Sequence, residues 1–152
     1  NKMATIAEAI RDHLINDGTL QSLLKASTQF RKVYQRKKPN SVAYPVIVVE
    51  GTEKKRPADD QLKDAQDTAT LVIGTFEFLC KAKTFGDADK IRERLRIRLR
   101  QSQNGATWLG MEIHGLRIGD DDEDVETATD GSDEDVFVQI LESDITFREA
   151  VT

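Results

Sequence analysis

The chain has 152 residues, of which 38% are hydrophobic and 32% are charged, and its formal net charge is −5. This length suits one domain, residues 1–152, with a substantial core. The composition excludes a membrane-spanning helical protein, because no apolar run approaches the roughly 18 residues that a bilayer requires. Cys80 is the only cysteine, which excludes an intrachain disulfide and favours a reducing compartment such as a cytoplasm.

The first predicted elements are helical. Thr5 and Glu8 form a capping-box pattern, and apolar residues follow at helical spacing up to Leu14. Asp17-Gly18 is a helix stop signal, and the leucines after it predict a second short helical turn. The N-terminal segment is therefore predicted to be an amphipathic helix.

A basic segment and two strands come next. Residues 31–38 (RKVYQRKK) carry five positive charges, and the β-branched run that follows Tyr44-Pro45 predicts a buried strand at 46–49. Residues 51–67 are polar and predict a long surface loop or a flexible hairpin tip. Residues 68–83 alternate with apolar side chains on both faces, which is typical of a strand in the sheet interior.

A second helix is predicted at 87–101, with Asp87 as its N-cap. Its apolar stripe (Ala88, Ile91, Leu95 and Leu99) should pack on the face of the sheet that carries Val72, Phe76 and Phe78. Two further strands, 108–118 and 136–147, are expected to form a hairpin around an acidic loop at about 119–135. The predicted fold class is α+β, a small mainly antiparallel sheet with an N-terminal helix and a second helix packed on the sheet.

The sequence carries no recognisable catalytic signature. It lacks a Gly-rich phosphate loop, a nucleophile elbow, an HExxH motif and a CxxC motif. We therefore expect no enzymatic activity, no cofactor and no metal site, with His13, His114 and Cys80 in structural roles. Asp120, Asp122 and Asp124 have the spacing of the first calcium ligands of an EF-hand. However, Val125 replaces the required glycine, so only adventitious divalent binding is expected.

The charge is divided unevenly along the chain. Ten acidic side chains and no Lys or Arg lie between Asp120 and Asp135, and without them the net charge of −5 becomes +5. The second helix carries arginine at five alternate positions, which favours bidentate pairing with carboxylates or phosphates over a merely solvated face. Because ten carboxylates would repel DNA, the pattern favours self-assembly. The resulting subunit-interface candidates are Arg92, Arg94, Arg96, Arg98 and Arg100.

Three segments in this order carry a family resemblance: YPVIVVEG, ATLVIGTFEFLCKAK and TFGDADKIRERLRIRL. With the N-terminal helix and the final hairpin, they resemble the tail terminator, or tail-completion, proteins of tailed bacteriophages over residues 5–148. The resemblance implies a homohexameric ring that closes the tail tube and joins the tail to the head. It implies contacts with the tail tube protein and head–tail connector proteins, and genomic DNA that crosses the lumen without specific binding. The expected location is the virion tail or neck, after assembly in the bacterial host cytoplasm, without a membrane partner.

In such a ring, the acidic segment is predicted to face the lumen or the tube-contacting rim, or to dock on the arginine helix of a neighbour. The lumen or tube-contact candidates are Asp120, Asp121, Asp122, Glu123, Asp124, Asp133, Glu134 and Asp135. Two alternatives remain open at this point. One is another neck or head-completion connector subunit, and the other is a nucleic-acid-binding regulator that uses RKVYQRKK and the arginine helix.

Overall fold

The computed structural model describes residues 5–51, 56–57, 69–129, 132 and 134–150. This part of the chain contains three helices and seven strands. The helices are α1 (Ile6–Ile15), α2 (Gly18–Leu23) and α3 (Phe85–Arg100). The strands are β1 (Val33–Gln35), β2 (Val46–Gly51), β3 (Arg56–Pro57), β4 (Ala69–Ala82), β5 (Ala106–Trp108), β6 (Met111–Thr127) and β7 (Asp135–Ala150).

All of these strands belong to one sheet, in the order β1-β2-β4-β7-β6-β5, with β3 pairing separately with β4. Only β1 and β2 are parallel among these pairs, so the sheet is mixed but mainly antiparallel, as predicted. The predicted interior strand is confirmed, because β4 lies between β2 and β7. The sheet therefore has β1 near one end and β6 with the short β5 at the other.

The helices cover one face of the sheet, and the main core lies between them. Alternate residues of β7, among them Leu141, Ile145 and Phe147, are fully buried in this core. The opposite face carries two small apolar clusters, one around Val48 and one around Val138, and Tyr44 packs against both. This alternation follows from the two-residue period of a strand, which sends neighbouring side chains to opposite faces.

Helix α3 packs through the predicted stripe, since Ala88, Ile91, Leu95 and Leu99 are all buried and the last three join the core that contains Val72, Phe76 and Phe78. Its start differs from the prediction. The N-cap is Thr84, whose Oγ1 accepts the Asp87 N–H at 3.2 Å, so the helix begins two residues earlier. Threonine is among the preferred N-cap residues, and Asp87 adds favourable negative charge to the first turn.

Helix α1 begins with the predicted capping box. The Thr5 side chain accepts the Glu8 N–H at 3.1 Å, and the Glu8 carboxylate accepts the Thr5 N–H at 3.4 Å. The predicted second helical turn is α2, which follows α1 after a two-residue break. Both N-terminal helices pack their apolar residues into the main core.

The final hairpin differs from the prediction at both of its ends. The expected single strand at 108–118 is two strands, because Leu109 and Gly110, both with positive φ, form a turn between β5 and β6. The acidic loop expected at 119–135 is strand as far as Thr127, and the connection covers only residues 128–134. Acidic residues disfavour strands intrinsically, but β7 offers a long apolar partner, and residues 121–127 pair with it continuously.

The second predicted loop, at 51–67, lies mostly outside the described residues. Within it, Gly51 ends β2, and Arg56–Pro57 forms the short strand β3. Its flexibility, like that of the acidic connection, stays a prediction.

Candidate assembly surfaces

The arginines of α3 are the first set of candidates. One of them, Arg94, forms an ion pair within its own chain. Its Nε and Nη2 donate to the two carboxylate oxygens of Asp17 at 2.8 and 2.7 Å. The Asp17 side chain is only 7% exposed, and the hydrogen bonds from Arg94 hold the pKa of this carboxyl below its usual range. This bidentate pair joins the start of α2 to α3.

Arg98 joins α3 to α1 in a similar way. Its Nε and Nη2 donate to the His13 carbonyl oxygen at 3.1 and 2.9 Å. The His13 ring in turn stacks on Trp108, with 4.3 Å between ring centroids. Burial, aided by the Arg98 charge, lowers the pKa of His13 to about 4, so its imidazole is neutral at neutral pH. The predicted structural role of His13 is consistent with this setting.

Arg92 and Arg96 both reach the acidic strand of their own chain. Arg96 Nη2 lies 2.6 Å from Asp121 Oδ2, and Arg92 Nη1 lies 3.9 Å from the same oxygen. Arg92 also donates to Gln139 Oε1 and to Asp89 Oδ1, both at 2.6 Å. One acid of the segment 120–135 therefore docks on the arginine helix within the subunit, where the sequence suggested a neighbouring copy.

Four of the five arginine candidates are thus engaged inside the subunit. Arg100 is exposed, and no carboxylate in the described ranges lies within salt-bridge distance of it. Sequence reasoning missed this division because the partners of Arg94 and Arg98 are 77 and 85 residues away along the chain. An interface role for the arginines stays a prediction, and Arg100 is the one of the five with a solvent-exposed side chain.

The acids of β6 are divided between the two faces of the sheet. Residues that pair directly in an antiparallel sheet share a face. Asp121 and Glu123 pair with Leu141 and Gln139 on the helical face, whereas Asp122 and Asp124 pair with residues of the opposite face. A register shift between Ile118 and Asp121 places Asp120 in a bulge.

Two acids of the segment 120–135 form ion pairs with lysines. Glu126 lies 2.8 Å from Lys81 Nζ, and Glu134 lies 2.9 Å from Lys83 Nζ. Asp135 is exposed at the start of β7, and Asp133 lies outside the described residues. Asp120, Asp122, Glu123 and Asp124 are exposed, and no Lys or Arg of the described chain comes within 4 Å of their carboxylates. We call these four residues the acidic edge.

The acidic edge lies on the outer strand of the sheet, and its aspartates bind the strand's own backbone. The Glu123 N–H donates to Asp122 Oδ1 and the Val125 N–H donates to Asp124 Oδ1, each at 2.8 Å. β5 covers only Met111–Ile113 of β6, and in the described chain no strand pairs with the outer side of β6 beyond that point. Two of the outward amide donors of this open edge are therefore already occupied.

The opposite end of the sheet, around β1, is basic. Lys25 and Lys37 are exposed there, Arg31 is half-buried, and Lys32 is largely buried. Burial lowers the pKa of Lys32, and the neighbouring charges of Lys25 and Lys38 lower it further. We call Lys25, Arg31, Lys32 and Lys37 the basic end.

Lys38, by contrast, has a structural role. It is 4% exposed, donates to the carbonyl oxygens of Pro39 and Val42, and lies 4.7 Å from the centre of the Tyr44 ring. These contacts fix the segment that leads into β2. The run RKVYQRKK is therefore a mixture of buried and exposed cations, which its sequence does not distinguish.

An apolar groove of about 420 Å³ lies where α3 begins, beside the acidic edge. Phe85 and Val125 are about half exposed in it, and Phe137 and Gln139 form its floor. Sequence reasoning did not identify this groove, because Phe85 precedes the predicted helix start and Val125 was placed in a loop.

Other groups considered from the sequence have structural settings. Cys80 is fully buried, and burial raises the pKa of its thiol well above the usual range. Among the described residues, no three His, Cys, Asp or Glu side chains are grouped so as to hold a metal ion. No helix in the described ranges is both long and apolar enough to cross a membrane.

Comparison with protein-family models gives no match, and comparison with curated proteins gives none either. A solved structure does match. It is described as the virion of a native gene transfer agent (GTA) particle, and one of its chains superposes with a TM-score of 0.61. The alignment covers 95% of both chains at 14% sequence identity. What the two chains share is the fold.

Proposed function

We propose that this protein is a structural subunit of a phage or phage-like particle. In its specific form, the proposal is a tail terminator that assembles as a homohexameric ring, closes the tail tube and joins the tail to the head. The observation that carries it is the fold common to this chain and a chain of a gene transfer agent virion over 95% of both lengths. The order of the N-terminal helix, the long strand, the capped helix and the final hairpin supports the same family.

The regulator alternative loses support from the contacts of the basic residues. Duplex DNA binding requires exposed Lys and Arg that can neutralise phosphates. Arg94 and Arg98 are instead bonded to Asp17 and His13, and Lys38 is buried in its own loop. The exposed cations of RKVYQRKK and the arginine helix are reduced to four: Arg36, Lys37, Lys90 and Arg100. The exposed carboxylates of the acidic edge would also repel a phosphate backbone. The connector alternative shares the structural role and differs only in the binding partner.

The direct test measures assembly and partner choice together. Native mass spectrometry and electron microscopy of the purified chain should give six-subunit rings. When mixed with the tail tube protein of the same particle, these rings should bind tube ends and stop further tube growth. Rings that do not bind tubes but do bind a head connector protein would favour the neck alternative. A monomer with steeply salt-dependent binding to duplex DNA would contradict the proposal and favour the regulator.

A further inference from the structure

The two ends of the sheet are chemically opposite, and neither is available for strand addition. β1 is three residues long, and Lys32 and Arg36 on its two sides have positive φ, which ends an extended strand. The Val33 carbonyl accepts the Arg11 Nε–H at 2.9 Å, and the Gln35 carbonyl accepts the Lys37 N–H at 2.7 Å. A strand from another molecule would find these acceptors already bonded.

The β6 edge is blocked in a complementary way. Asp122 and Asp124 bind the amide donors of Glu123 and Val125, so an incoming strand would have to displace both carboxylates. Charged side chains on edge strands are a general device against edge-to-edge pairing. The remaining carboxylate oxygens of the acidic edge can accept hydrogen bonds but cannot donate them, so this edge suits Lys and Arg side chains.

We propose that the acidic edge of one copy binds the basic end of the next copy through side-chain ion pairs, without a shared strand ladder. This contact rests on the proposed ring function and specifies its interface. The charges are complementary, and the two surfaces lie at opposite ends of one sheet. A contact between unlike surfaces is heterologous, so it can be repeated around a closed ring. A two-fold contact of the acidic edge with itself would instead oppose like charges.

Among the described residues, no carboxylate forms an ion pair with the four cations of the basic end. The pKa of Lys32 is lowered by burial and by the charges of Lys25 and Lys38, and no nearby carboxylate raises it. A carboxylate surface from a neighbour would relieve this repulsion. The same neighbour would neutralise Asp120 and Asp124, which lack a cationic partner among the described residues.

The test is a pair of charge-reversed variants. The first carries Asp120→Lys and Glu123→Lys, and the second carries Arg31→Glu and Lys37→Glu. In each variant alone, the altered surface carries two charges of each sign, so its net attraction to the unchanged surface of the next copy is lost. The dissociation constant of the ring should therefore rise at least tenfold. An equimolar mixture should form rings again, with the two variants alternating, which native mass spectrometry resolves by subunit mass.

Three comparisons keep the result interpretable. Circular dichroism must first show that each variant is folded. The α3 control carries Lys90→Glu and Arg100→Glu, which is the same charge change as in the second variant. Because Arg100 is itself an interface candidate, this variant tests the competing contact, and the proposed interface requires that its rings stay intact. A further variant with Asp122→Asn and Asp124→Asn keeps an acceptor for each edge amide, removes two charges and should weaken the ring by a smaller factor.

The outcomes separate this interface from the ring function. If the wild-type chain forms rings and both reversed variants form them equally well, the interface is wrong and the ring function stands. Ring loss in the α3 control, with no rescue in the mixture, would place the contact on the arginine helix and overturn the proposal. Suppose that rings are lost in each reversed variant and restored in the mixture, but that wild-type rings fail to bind tube ends. This result would support the interface and contradict the tail terminator function. A wild-type monomer at all concentrations would overturn both.

Discussion

Replacing Leu95 by alanine tests the packing of α3 on the sheet. The Leu95 side chain is fully buried in the main core. The substitution removes three carbon atoms, which corresponds to roughly 2.4 kcal/mol at about 0.8 kcal/mol per buried methylene. The unfilled cavity adds to this loss, and buried Leu→Ala changes span about 2–5 kcal/mol in total. We expect the free energy of unfolding to fall by about 3 kcal/mol.

The assay is urea unfolding followed by circular dichroism, at a fixed protein concentration because assembly also contributes to stability. For a chain of this size, the loss corresponds to a decrease of roughly 6–12 °C in Tm. The matched control is Ile97→Ala on the same helix, because Ile97 is 50% exposed. That change should stay within about 0.5 kcal/mol. Equal effects of the two substitutions would refute the assigned orientation of α3.

Three further predictions concern protonation, the intrachain ion pair and the protected edge. Because the pKa of His13 is about 4 in the folded chain and 6.5 in its ordinary state, the unfolded chain binds the extra proton between these values. Stability should therefore fall as the pH decreases from about 6.5 to 4, by roughly 1–3 kcal/mol in urea titrations, and His13→Gln should flatten this slope. Asp121→Asn should lower the free energy of unfolding by about 0.5–1 kcal/mol. Its effect should be less than additive with that of Arg96→Ala, because both substitutions remove the same ion pair. Asp122→Asn, which has no Arg partner in the described chain, should leave the free energy of unfolding unchanged. Asp122→Ala with Asp124→Ala frees two edge amides and should raise aggregation measured by light scattering, whereas the double Asn variant should not.

Each of these predictions has a distinct contradicting result. A wild-type chain whose stability is constant between pH 4.5 and 6.5 would mean that His13 is accessible to protons in the folded state. Equal effects of asparagine at 121 and 122 would mean that the Arg96 contact contributes no stability. Equal aggregation of the alanine and asparagine pairs would attribute edge protection to charge alone and not to the bonded amides.

Because most of the acids lie on a strand, their effects on fold stability and on assembly can be tested separately. As a loop, the segment 120–135 would be a mobile stretch of negative charge without fixed side-chain partners. As a strand, it presents Asp121 to α3, Glu126 to Lys81, and a row of exposed carboxylates along one edge. A substitution of all these residues together would mix fold stability with assembly. Separate substitution of Asp121 and of the acidic edge distinguishes the two effects.

The sequence by itself determined the elements whose signals are local. The capping box at Thr5, the stripe that includes Leu95 and the β-branched run at 46–49 each specify their structure within a few residues, because caps and periodicity depend on nearby atoms. The fold class followed from their order. The family resemblance used the same local signals, and a chain with this fold occurs in a gene transfer agent virion.

Only the tertiary structure decided the partners of the charged residues and the length of the last hairpin. The five arginines of α3 are alike in sequence, but Arg94 bonds to Asp17, the N-cap of α2, and Arg98 bonds to His13 of α1. The acidic run became a strand because the apolar strand β7 pairs with it. The energy of this pairing comes from the partner strand and not from the strand propensity of the acidic residues themselves. Charge contacts and strand pairing are both set by which elements meet in space, and a local sequence pattern does not contain that information.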